Sequence, residues 1–137
     1  MIESFWHNNK AKGKRKKAKV LVKDIQQRTF DFALRIVKLC QYLDEKPGVG
    51  RTLGRQLLRA GTSIGANIEE AQAGQSKLDF ISKNAIALKE ARETLYWLRL
   101  LAAAKIIPAE RLSELQTEVE ELMRIIGSII VTAKGKK

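Results

Sequence analysis

The stretch LGRQLLRAGTSIGANIEEAQAGQSKLDFISKNAIALKEARETLYWLRLLAAA, residues 53–104, decides the fold. In its first half Leu53, Leu57, Ala60, Ile64, Asn67, Ile68 and Ala71 recur at helical spacing, which places them on one side of an α-helix. In its second half Phe80, Asn84, Leu88, Ala91, Leu95, Leu98 and Ala102 do the same. An apolar stripe on a helix is stable only when another element covers it. Gly74 can end the first helix and Ser76 can cap the second, so the short polar link folds the two back as an antiparallel pair.

The pattern continues on both sides. Residues 24–46 predict a helix capped by Asp24, with Ile25, Thr29, Phe32, Ile36, Leu39, Cys40 and Leu43 on one face. Phe30 and Val37 lie about 100° around from that face, which gives this helix a second neighbour. Pro47, Gly48 and Gly50 end it, and a second helix runs over residues 51–73. After a third over 77–104, Pro108 suits the first turn of a fourth reaching residue 133, with Leu112, Leu115, Val119, Leu122, Ile126, Ile129 and Ala133 as its stripe. Short links make sequential neighbours antiparallel. The expected fold is all-α: an up-down-up-down four-helix bundle over 24–133, with a disordered basic tail over 1–23 and a basic end over 134–137.

Gly54, Gly61 and Gly65 each weaken the second helix, so packing must compensate. Gly61 lies near the buried side, where a missing side chain admits another helix, while the pattern offers no such reason for Gly54 and Gly65.

With 137 residues and 45% apolar content the chain is one domain with a real core. Cys40 is the sole cysteine, so no intrachain disulfide or cysteine metal cluster is expected; it reads as an apolar filler, with a reactive thiol as the sharper alternative. A reducing cytoplasm is the simplest compartment. Arg99 interrupts the richest apolar run, so no membrane span is expected, and the basic start does not lead into the apolar segment of a signal peptide.

Charge is unevenly placed. Of the formal +11, residues 1–23 carry +7, with Lys10, Lys12, Lys14, Arg15, Lys16, Lys17, Lys19 and Lys23 against Glu3 alone. A polyphosphate is the natural counterion of such a tail, and a solubilising arm is the plainer reading. Arg51, Arg55 and Arg59 add a guanidinium ridge opposite the second helix's stripe, able to take phosphate, to pair with acids on another chain or to stay solvated. The early part of the fourth helix is acidic, with Glu110, Glu114, Glu118, Glu120 and Glu121, which argues against its lying on nucleic acid.

The third helix has a second stripe, Ile86, Glu93, Trp97, Leu100 and Ala104, opposite its core set. A helix apolar on two sides is buried on two sides, so this stripe is read as a subunit interface, with coverage by the tail as the competing account.

Chemistry is hard to place. His7 is the only histidine and lies in the tail, so no histidine-based general base or metal site is expected. No Gly-rich phosphate loop appears, and no core Glu has a His three residues on, as a di-iron bundle requires. Ser63, Asn67 and Glu70 line one edge of the second helix, with Arg92 and Arg99 flanking the core of the third. They read as a hydrogen-bonded set fixing helix register, with a polar catalytic pocket as the alternative. No cofactor or metal is expected, and no enzyme.

The run Ser63-Ile64-Gly65-Ala66-Asn67-Ile68-Glu69-Glu70-Ala71, followed by Phe80 and by Ala87-Leu88-Lys89-Glu90-Ala91-Arg92-Glu93-Thr94, resembles the four helix bundle proteins also called the 23S rRNA intervening sequence protein family. The resemblance covers residues 24–133. It implies a small bacterial protein whose antiparallel bundles assemble into a pentameric ring. Tyr96-Trp97-Leu98-Arg99 is similar to a segment of the accessory variability proteins of diversity-generating retroelements. That similarity implies a basic pentamer with nucleic acid and a reverse transcriptase as partners. The function expected is a non-enzymatic, homo-oligomeric nucleic-acid-binding protein, RNA foremost, with an interaction scaffold as the second reading.

Overall fold

The computed structural model describes residues 12–135, with side chains over 24–135. Four helices follow one another: α1 Lys12–Leu43, α2 Val49–Gln72, α3 Lys77–Ala103 and α4 Ala109–Lys134. Each packs on the next, and α1 meets α4, so the bundle has the expected topology; there is no strand among the described residues.

The helix α1 begins at Lys12, well before the bound at residue 24 read from the apolar pattern. Lys and Ala are good helix formers, and elongating an existing helix is far easier than nucleating one. Of the tail, residues 1–11 lie outside the described residues, as do the side chains of 12–23. The start of α3 is set locally: Ser76 Oγ accepts from the Asp79 amide at 3.1 Å, while an Asp79 carboxylate oxygen accepts from the Gln75 amide at 3.2 Å. Gly48, at φ 133°, supplies the turn into α2. Lys105, at φ 60°, turns the chain between α3 and α4.

The core is the sum of four stripes. All seven positions expected on α4 are buried. On α1, Ile25, Thr29, Phe32, Ile36, Cys40 and Leu43 are buried, with Leu39 packed beside them. On α2, Leu57, Ala60, Ile64, Ile68 and Ala71 are buried, and Leu53 and Asn67 are half-buried.

The helix α3 departs from expectation. Its buried face is Phe80, Asn84, Ala87, Ala91, Thr94, Leu98 and Leu101, while Leu88, Leu95 and Ala102 are only half-buried. Small Ala87, Ala91 and Thr94 turn inward because the other stripes already bring bulk, and packing rewards volume fit over hydrophobicity alone. The buried polar groups are satisfied within their own helices: Thr29 Oγ1 donates to Ile25 O (2.8 Å), Asn84 Nδ2 to Phe80 O (2.9 Å) and Thr94 Oγ1 to Glu90 O (2.8 Å).

All three α2 glycines have the same explanation. A Cβ on Gly54 would stand 3.1 Å from Leu43 Cβ, on Gly61 2.9 Å from Ile36 Cγ2, and on Gly65 3.3 Å from Thr29 Oγ1. Glycines at 54, 61 and 65 thus form the track on which α1 lies. Sequence reading placed Gly61 there; Gly54 and Gly65 sit on the same track, which only the identity of the partner helix reveals.

Candidate nucleic-acid interface

The guanidinium ridge of α2 is engaged within the chain. Arg51 donates from Nη2 to the Asp44 carbonyl at 2.7 Å and lies 3.2 Å from the Asp44 carboxylate, with Arg55 at 3.9 Å from the same group. Arg59 reaches across to α3, with Nη1 3.4 Å from Glu90 Oε1 and Nη2 paired with Glu93 Oε2. The acids expected to meet the ridge were those of another chain; here they are its own, Asp44, Glu90 and Glu93. Arg55 is still 71% exposed and Arg59 half exposed, so both keep a wet side.

The eight tail cations expected at this interface, Lys10, Lys12, Lys14, Arg15, Lys16, Lys17, Lys19 and Lys23, have no described side chains.

The second stripe of α3 is only partly left in water. Trp97 and Leu100 are half-buried, and Trp97 packs against the core cluster. Its indole Nε1 donates to Glu93 Oε2 at 3.0 Å, so Glu93 joins the indole of α3 to the guanidinium of α2. Ile86 and Ala104 are the exposed members of that stripe. The expectation that the monomer leaves Trp97 uncovered is therefore corrected: the rotation of α3 brings its indole against the core cluster, while Leu100 is half-buried without joining that cluster. Larger exposed apolar side chains lie elsewhere, with Phe30 60% and Leu34 48% exposed on α1. No second neighbour within the described chain covers Phe30.

The polar set expected to fix register is also rearranged. Ser63 Oγ donates to Arg59 O at 2.6 Å and Asn67 Nδ2 to Ser63 O at 2.9 Å, both within α2. Glu70 and Arg92 are exposed, and their side chains make no hydrogen bond or ion pair among the described residues. Register between α2 and α3 is held instead by the Arg59, Glu90, Glu93 and Trp97 group.

A second network was missed altogether. Arg28 donates from Nε to Glu118 (3.1 Å) and from Nη2 to Glu118 (2.7 Å) and Glu121 (2.8 Å), tying α1 to α4. These hydrogen bonds, Glu118 foremost, raise the Arg28 pKa further, and Arg28 holds the Glu121 carboxyl below its usual range. Arg35 adds a pair to Glu114 at 3.4 Å, and Arg111 lies over the Tyr42 ring at 5.8 Å. With some ninety residues between the partners, no spacing rule could have joined them.

A groove of 280 Å³ opens between α1 and α2, lined by Val37, Cys40, Asp44, Arg51, Gly54 and Leu58. Its charged groups pair with each other, and Cys40 Sγ bonds to the Gly54 carbonyl at 3.2 Å. Burial pushes the Cys40 thiol up to about 11, the opposite of what a nucleophile needs. Among the described residues no group of His, Cys, Asp or Glu is arranged to hold a metal, and no helix is long and apolar enough to cross a membrane.

Among proteins of curated function none matches this chain. A solved structure does: a protein with unknown function from the S23 ribosomal protein family of Bacteroides thetaiotaomicron, 42% identical, covering 80% of this chain and 97% of its own, with a TM-score of 0.76. The family model of the 23S rRNA-intervening sequence proteins matches residues 23–128. On that match and on its four-helix bundle, the chain belongs to the 23S rRNA-intervening sequence protein family.

Proposed function

We propose that this chain is a non-enzymatic, self-associating protein of the bacterial cytoplasm that binds nucleic acid, RNA foremost, through its excess positive charge. The observation that carries the reading is the charge distribution: +11 overall, with eight Lys/Arg against one Glu in residues 1–23. Cations placed along a polyphosphate release its condensed counterions, so affinity is gained without base-specific contacts. Self-association, in the ring that the resemblance implies, would gather these charges from several copies onto one surface. The family's name, which refers to 23S rRNA, and the name of the Bacteroides relative, which refers to a ribosomal protein, are in keeping with RNA.

A filter-binding series over salt tests this. With six to ten phosphates neutralised, affinity should fall by about 10³ to 10⁵ between roughly 50 and 200 mM salt. No binding at low salt, or affinity indifferent to salt, overturns the proposal. Sedimentation at two protein concentrations should show an oligomer.

The second reading is an interaction scaffold, such as an accessory subunit of a reverse transcriptase, and the exposed Phe30 and Leu34 favour it. It predicts a partner protein retained at high salt, where nucleic acid is released.

A further inference from the structure

Charge on α3 is sorted by side. Glu90 and Glu93 both turn to α2, where they hold Arg59. Lys89, Arg92 and Arg99 lie on the side away from the buried face, all exposed, and none has a carboxylate within 4.0 Å among the described residues. This is the reverse of α2, whose ridge arginines each have an acid of the same chain. An exposed cation with no acid beside it keeps its full attraction for an outside anion.

An aromatic ring stands among these cations. Tyr96 is 54% exposed and falls between Arg92 and Arg99 at intervals of four and three, so it shares their side of the helix. Its ring meets that of Trp97 edge-on, with centroids 5.0 Å apart and planes at 74°. Trp97 is itself fixed by Glu93, so the phenol is steadied from beneath while remaining open to solvent. From Lys89 to Arg99 the helix rises about 15 Å, the length of a short run of nucleotides.

We propose that this face of α3 seats single-stranded RNA, its phosphates against Lys89, Arg92 and Arg99 and one base stacked on Tyr96. The proposal rests on the reading of the chain as an RNA-binding protein and gives that reading a surface on the bundle. Single strands suit it because an unpaired base offers its flat face to an aromatic ring, whereas a duplex buries that face and leaves only its phosphates for the cations. Sequence preference is not built in, since every base has a stacking face.

The test is fluorescence anisotropy with the full chain, using a labelled 12-mer oligouridylate, a blunt RNA duplex of the same length and labelled poly-glutamate. The double variant Arg92→Gln/Arg99→Gln should flatten the salt slope for the single strand by about 1.4, at roughly 0.7 per phosphate contact. A charge-matched control, Lys38→Gln/Lys46→Gln, removes two exposed lysines from the α1 side and should change the slope much less. Tyr96→Ala should weaken single-strand binding by about fivefold or more and leave the duplex unchanged, while Tyr96→Phe retains binding. All these positions are exposed, and thermal melts confirm that each variant folds. If the wild type binds and the α3 variants match it in affinity and slope, the face is wrong but the reading of function stands. Equal loss on single strand and duplex with Tyr96→Ala overturns the stacking, and poly-glutamate bound as tightly as RNA assigns the face to an acidic protein segment. A wild type that binds no RNA at low salt removes both proposals.

Discussion

Gly61 is the position where one methyl group decides most. A Cβ there would stand 2.9 Å from Ile36 Cγ2 and 3.0 Å from Cγ1, and a β-branched side chain anchored near the backbone has few ways to yield. Gly61→Ala should therefore cost about 1–3 kcal/mol by chemical denaturation, although Ala is the better helix former. Gly127 on α4 is the control: nothing lies within 4 Å of a Cβ there, so Gly127→Ala should stabilise by about 0.5–1 kcal/mol. Cys40 makes a different prediction. Buried and with its pKa near 11, its thiol should resist alkylation by iodoacetamide at about pH 8 and become reactive only as denaturant unfolds the bundle. Rapid modification of the native protein would show that the site opens locally.

At the scale of elements, α1 packs less extensively on α4 than on α2, and Arg28 bridges α1 and α4. Because Arg28 lowers the Glu121 pKa below its unfolded value, the pair stabilises the fold above that unfolded value, and the contribution is lost as pH falls through the lowered one. Melting temperature should accordingly decline on acidification below the ordinary carboxylate range. Arg28→Gln should melt lower at neutral pH and show a flatter decline through that acid window. Parallel declines in the two proteins would mean that other carboxylates carry the acid sensitivity. Salt should weaken the bridge only in part, since both Arg28 and Glu118 keep about three quarters of their side chains covered.

At the scale of the whole molecule, two of the open surfaces are the exposed apolar side chains of α1 and the cations Lys89, Arg92 and Arg99 of α3. If the first joins copies and the second meets RNA, oligomerisation and RNA binding should respond to different mutations. Leu34→Arg should lower the sedimentation coefficient while leaving the melting temperature nearly unchanged, since Leu34 is 48% exposed in the monomer. An unchanged sedimentation coefficient would place the association surface elsewhere, with the partly covered stripe of Trp97 the next to test.

The sequence by itself determined the four helices, their order and the α4 stripe, because a period near 3.6, a capping Ser76 and prolines between elements are all local signals. The family was legible for a similar reason, in the run from Ser63 to Ala71. Tertiary structure decided what depends on a neighbour: which side of α3 faces inward, why Gly54 and Gly65 are glycines, and where each arginine finds its acid. A helix with apolar residues on more than one side has several rotations of similar hydrophobic gain. The choice among them falls to the volume left by the other three helices, a quantity no single segment contains.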